Sequence, residues 1–334
     1  MKAPFPYFGG KSRIADQVWS RFGNTPNYVE PFAGSLAVLL SRPDEPKTET
    51  VNDLDCYLSN FWRAVQAAPD EVAEWANWPV NEADLSARHL WLLQYKPLKV
   101  QGDPDYFDAK IAGWWLWGIC AWIGGGWCSG KGPWESIDGE LTNRKLPHLG
   151  DAGRGINRKL PHLGTAGQGI KRTRPYLGNG MGINRVNQFE TRLDYIKSII
   201  NELSLRLRNV RVCCGDWTRI MGPTPTTTLG LTGVFLDPPY ADTAGRRKKI
   251  YTIDSQTVAH DVRAWAVEHG DDPKLRIALC GYEGEHEMPP EWECVAWKAQ
   301  GGFGSQGNTT GRENSHRERI WFSPHCLKSS ELSP

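Results

Sequence analysis

No CxxC pair and no repeated cysteine spacing occurs in this chain, although it holds eight cysteines: Cys56, Cys120, Cys128, Cys213, Cys214, Cys280, Cys294 and Cys326. A chain of 334 residues is also long enough to fold without covalent staples. The cysteines therefore read as reduced thiols of a cytoplasmic protein. His148 and His162 recur in PHLG but have no cysteine or acid beside them suited to a closed metal site, so no metal is expected. The first residues, MKAPFPYFGGKSR, have no apolar h-region, and the expectation is a chain without a signal peptide. The most apolar stretch, Ile111 to Trp127, is short for a membrane span and ends in glycines, which favours a buried helix and no membrane partner. Formal net charge is only +1, so a polyanion could be held only by a local basic patch. Neither GxGxxG nor GxxxxGK[ST] is present, which argues against a nicotinamide site and against a P-loop.

What is abundant is tryptophan, sixteen in all, and alternation of strand-like and helix-like segments. YVEPFAGSLAVLL (28–40) reads as a short strand, a turn at Pro31–Ser35 and then an apolar helix. VNDLDCYLSNFWRAV (51–65) places acids after a short strand and then spaces apolar residues at helical intervals. Residues 67–100 read as amphipathic helix, and the Trp-rich run at 111–127 as core, followed by a glycine-rich loop. Further segments read as a helix at 187–208, strands at 210–214 and 233–236, a helix at 257–269, and strands at 276–280 and 319–322. The pattern predicts an α/β fold, a doubly wound and largely parallel sheet formed by residues 1–65 and 187–325. Residues 66–186 are expected to interrupt it as a mainly helical and irregular insertion, and 326–334 to form a tail. Within the insertion NRKLPHLGDAGRGI (143–156) is repeated as NRKLPHLGTAGQGI (157–170) and then, loosely, as KRTRPYLGNGMGI (171–183). A repeat this short and Gly/Pro-rich is no solenoid unit; it reads as an extended basic loop or ribbon.

Open α/β sheets bind ligands beyond the carboxyl ends of their strands. Four such ends here carry acids: Glu30, Asp53, Asp216 and Asp237. One acid at a strand end is ordinary turn chemistry; four in one sheet point to a site. A nucleotide ligand without a diphosphate fits the absent phosphate loops, and S-adenosylmethionine is such a ligand. Asp53, about twenty residues after the first strand, is spaced to bond a ribose hydroxyl. Asp237-Pro238-Pro239-Tyr240 fixes a carboxylate, a carbonyl without a competing N–H, and an aromatic ring in one rigid frame. An exocyclic amino nitrogen on a base is a weak nucleophile because its lone pair is delocalised. Two acceptors for its two N–H groups, the Asp237 carboxylate and the Pro238 carbonyl, would draw it toward tetrahedral geometry, while the Tyr240 ring stacks on the base.

The segments PYFGGK (6–11), YVEPFAGSLAV (28–38), VNDLD (51–55) and FLDPPY (235–240), in this order, resemble the Dam-like (D12 class) DNA adenine-N6 methyltransferases. IALCGYEGEHEMPPEW and SHRERIWFSP resemble the phage and prophage members. The resemblance covers about 1–65 and 187–325 and implies a Rossmann-like sheet, S-adenosylmethionine as cofactor and double-stranded DNA as partner, with the target base flipped out of the helix. It implies that Tyr7 and Lys11, in the turn with Gly10, hold the methionine carboxylate, and that Glu30, Pro31, Phe32 and Gly34 pack around the methionine. It further implies that Asp53 bonds the ribose, that Asp216, beside Trp217, bonds the cofactor's adenine, and that Asp237 to Tyr240 form the catalytic pocket. One departure stands out: the family usually has glycine where this chain has Leu36. For the DNA phosphates the candidates are Lys131, the repeat's Arg144, Lys145, Arg158, Lys159, Arg172 and Arg174, and Arg246, Arg247 and Lys248 after the catalytic motif. Methylation of cytosine N4, an inactive nucleic-acid-binding relative and an RNA substrate stay open on the sequence. No restriction nuclease motif accompanies these segments.

Overall fold

The computed structural model describes residues 1–7, 10–45, 47–122, 127–128, 134–137, 140–143, 191–240, 258–297 and 316–328. Its centre is a seven-stranded sheet. The strands are β1 (Asn27–Glu30), β2 (Thr48–Asp53), β5 (Val210–Cys214), β6 (Thr232–Leu236), β7 (Leu275–Tyr282), β8 (Glu293–Ala296) and β9 (Glu318–Phe322), in the spatial order β5-β2-β1-β6-β7-β9-β8. The first five in that order are parallel. β9 enters antiparallel between β7 and β8. The order reverses between β1 and β6, which is where an open α/β sheet presents a crevice. β1 and β6 are buried along their whole length, as central strands covered on both faces require. A separate two-stranded hairpin pairs β3 (Trp134–Ile137) with β4 (Glu140–Asn143), in a stretch where no strand was expected from the sequence.

The helices are α1 (Ala15–Phe22), α2 (Cys56–Ala67), α3 (Pro69–Ala76), α4 (Glu82–Gln94), α5 (Ala109–Ala121), α6 (Arg192–Leu207) and α7 (Val258–His269). Their starts follow the local chemistry. The Tyr57 amide donates to the Asp55 side chain at the head of α2, and the Ile111 amide to Asp108 at the head of α5. Thr191 and Asp194 form a reciprocal capping box on α6. Over its described residues the Trp-rich run is core: Trp115 and Trp117 of α5 are buried, and the Trp115 ring packs against Phe5 and Phe61. α3, α4 and α5 thus share one apolar cluster with the N-terminal segment, α2 and α6.

The segment after the β1 turn also differs from expectation. The segment after Pro31–Ser35 does not run on as an apolar helix; only a single 3₁₀ turn forms, at Leu39–Ser41. Leu36 has φ 55°, in the left-handed region, at the position where the resembling family has glycine. A left-handed residue cannot continue a right-handed helix, and for leucine it costs about 1–2 kcal/mol. Its side chain is fully buried, which at about 1.5–3 kcal/mol offsets that strain.

Candidate active site

The carboxyl ends of β1, β2, β5 and β6 and the N-terminal segment enclose a cavity of about 240 Å³. Its walls include Tyr7, Gly10, Lys11, Glu30, Asp53, Asp216, Asp237 and Pro239. Pro31, Phe32, Gly34 and Trp217 also face it. The structure therefore brings together every cofactor-site residue read from the sequence, with Asp237 and Pro239 of the catalytic frame. Pro238 and Tyr240 are buried directly beside it.

Asp53 is fixed from two sides. The Gly34 amide donates to Oδ2 at 2.9 Å and the Asp55 amide to Oδ1 at 2.8 Å. Burial nevertheless pushes its carboxyl up to about 7, with the Asp55 charge adding and the amides opposing. Gly34 has φ 47°, and a Cβ there would sit 2.7 Å from the Tyr7 ring. The close approach at this glycine is therefore made by Tyr7, which closes over the β1 loop. Asn52, a residue the sequence analysis quoted but assigned no role, ties the crevice together. Its Nδ2 donates to the carbonyls of Pro31, at 3.1 Å, and Gly215, at 2.9 Å, so the loops after β1 and β5 are held by one side chain of β2. Asp216 is exposed at the end of β5 and accepts from the Thr218 amide. Trp217 beside it is buried, its ring 6.2 Å from that of Phe32.

At the other end of the cleft, Lys11 Nζ lies 2.9 Å from Asp237 Oδ2. The lysine expected on a methionine carboxylate is thus, in this structure, the ion-pair partner of the catalytic-motif acid. Burial raises the Asp237 carboxyl, while Lys11 and the Tyr240 hydroxyl oppose the shift. Glu30 is also raised by burial, and the nearby Asp237 charge adds to this; the Tyr28 hydroxyl donates to it at 3.0 Å and opposes it. Tyr240 is buried, its hydroxyl 2.7 Å from Glu318 and its ring edge-to-face with Tyr282 at 4.5 Å. Glu318 and Tyr282 were also missed as site residues. They sit inside the quoted segments SHRERIWFSP and IALCGYEGE, but nothing in the sequence says that β9 returns next to β7.

Residues 7–85 match the family model of the D12 class N6 adenine-specific DNA methyltransferases. The resemblance to the D12 class is borne out over this stretch, which carries Tyr7, Lys11, the β1 loop and Asp53. Comparison with curated proteins returns no match. The matched segment ends within α4; beyond it, Asp216, Asp237 and Pro239 line the same cleft, and Pro238 and Tyr240 are buried beside it. Among the described residues no cluster of His, Cys, Asp or Glu could hold a metal ion, and no helix is long and apolar enough to cross a membrane. The DNA-contact candidates Lys131, Arg144, Lys145, Arg158, Lys159, Arg172, Arg174, Arg246, Arg247 and Lys248 all lie outside the described residues.

Proposed function

We propose that the chain is a DNA methyltransferase that uses S-adenosylmethionine and acts on adenine N6 of a flipped-out base. The observation that carries this reading is the placement of Asp237 at the tip of β6, paired with Lys11 and sharing one cleft with Asp53 and Asp216. The donor set suits the cofactor. Two separated acids accept from hydroxyl and amino groups, Phe32 and Trp217 offer aromatic surface for a purine, Lys11 stands at the Asp237 end and the Tyr7 ring lies over Gly34. Bound there, S-adenosylmethionine would supply an electrophilic methyl on a sulfonium centre.

The chain's own residues do the rest by positioning and electrostatics. Asp237 and the Pro238 carbonyl accept the two amino protons of adenine, which localises the nitrogen lone pair. Lys11 favours the ionised, accepting form of Asp237 against the effect of burial. The ring of Tyr240 backs the base. No strong base is needed before attack, because the nitrogen becomes acidic once methylated and its proton can then leave. The basic side chains of 143–183 are assigned to the DNA phosphates, which would explain how a chain of net charge +1 holds a polyanion. The test is Asp237→Ala. It is expected to abolish methyl transfer while leaving cofactor binding, followed by calorimetry, largely intact; full activity in that variant removes the mechanism.

A further inference from the structure

The sequence segments around Tyr282 and Glu318 have no place in the mechanism above, yet they meet under its catalytic tyrosine. In the antiparallel pairing of β7 with β9, Tyr282 lies opposite Glu318. This register sets a ring and a carboxylate side by side on the sheet. The Tyr240 ring stands on Tyr282 at an interplanar angle of 73°. Its hydroxyl donates to Glu318 Oε2 at 2.7 Å. Glu318 is only 7% exposed. Among the described residues no cation forms an ion pair with it. Of its neighbours on β9 and just before it, Arg319 pairs with Glu283 at 2.8 Å and Arg317 lies over the Tyr282 ring. A buried carboxylate without a paired cation is expensive, and an apolar side chain would fill this place at lower cost. Its hydrogen bond is to the Tyr240 hydroxyl, and the Lys11 ammonium, 5.3 Å from the centre of the Tyr240 ring, is the positive charge that opposes the effect of its burial.

We propose that Glu318 is a positioning residue: it anchors the Tyr240 hydroxyl and so fixes the tilt of the ring that backs the target base. This rests on the reading of the site given above. A phenol ring held only by packing can swing at its hydroxyl end. A ring tethered at its hydroxyl by Glu318 and set against Tyr282 at 73° keeps one tilt. Stacking depends on that tilt, and small misplacements of a reactant are costly in rate. The effect belongs to kcat on DNA and leaves cofactor binding alone, because Tyr240 does not line the cavity around Asp53 and Asp216.

The experiment compares wild type, Glu318→Ala, Glu318→Gln, Tyr240→Phe and the double variant Tyr240→Phe/Glu318→Ala. The readouts are kcat and KM for DNA, S-adenosylmethionine affinity, and thermal unfolding. Glu318→Ala is expected to lower kcat on the order of ten- to a hundredfold with cofactor affinity unchanged. Glu318→Gln keeps an acceptor oxygen and is expected to stay within about threefold of wild type. The double variant is expected to be no slower than the slower single one, since both remove the same bond. Undiminished kcat in Glu318→Ala, or losses that multiply in the double variant, overturns the proposal. Should Glu318→Ala not fold, Tyr240→Phe decides: a loss of kcat at unchanged cofactor affinity supports it, and wild-type kcat overturns it. Failure of the wild type to methylate DNA at all would sink the functional reading itself, a result distinct from an active wild type with an undiminished Glu318→Ala.

Discussion

If S-adenosylmethionine binds as proposed, the charge state of Asp53 is coupled to its binding. Its carboxyl is raised from an ordinary 3.8 to about 7, so the folded protein binds a proton there that the unfolded chain releases earlier. The folded pKa lies above the unfolded one. This group's favourable contribution is therefore full below the ordinary value and is lost as pH rises toward 7. Hydroxyl donors from a ribose would favour the ionised form and lower the pKa again. Cofactor binding at about pH 6 is then expected to release a proton, and affinity is expected to rise with pH and level off above about 7. Calorimetry in buffers of different ionisation enthalpy checks this; an enthalpy independent of buffer would remove Asp53 from the ribose contact. Of the site residues, the acids at strand ends were legible because strand-end carboxylates follow from the α/β pattern. Lys11 was legible as a candidate that the cleft indeed contains, but its ion pair with Asp237 was not, because spacing along the chain says nothing about which of two anions a flexible ammonium will take.

Among the elements, α5 shows how much apolar composition alone can fix. Its run of tryptophan, leucine and isoleucine has no polar face, and it is buried as such a helix must be. The sequence did not disclose how closely α3 approaches it. Gly113 lies against α3, and a Cβ there would come within 2.7 Å of the Val72 carbonyl oxygen and crowd the Trp75 side chain. Backbone cannot move aside as a flexible side chain can. Gly113→Ala is therefore expected to destabilise the protein by about 1–3 kcal/mol, after overcoming a helix-propensity gain of about 1 kcal/mol. Denaturant unfolding measures it, and a stabilised variant would mean the two helices are not in close contact. The helix predicted after Ser35 failed for a local reason that hydrophobic periodicity does not register: Leu36 takes a left-handed conformation that its residue type does not advertise. The same limit hid β9. Its residues read as a strand, but only long-range pairing sets it antiparallel between β7 and β8, and that pairing carries Glu318 to Tyr240.

At the scale of the whole molecule, the parallel order β5-β2-β1-β6-β7 gathers four strand ends into one crevice, and the alternation of strands and helices was enough to foresee that. Apart from Lys131, the basic side chains read as DNA contacts fall in 143–183 and in the run after Tyr240. If the repeat grips phosphates, deleting 143–183 is expected to weaken DNA binding and to flatten its dependence on salt concentration. A salt slope equal to that of the full chain would assign the repeat to some other role. The central claim is the chemical identity of the product. Nucleoside analysis by mass spectrometry of DNA incubated with the protein and methyl-labelled S-adenosylmethionine tests it most directly. Label in N6-methyladenine, absent with Asp237→Ala, is the predicted result; label in N4-methylcytosine, or no label in the DNA, would contradict it.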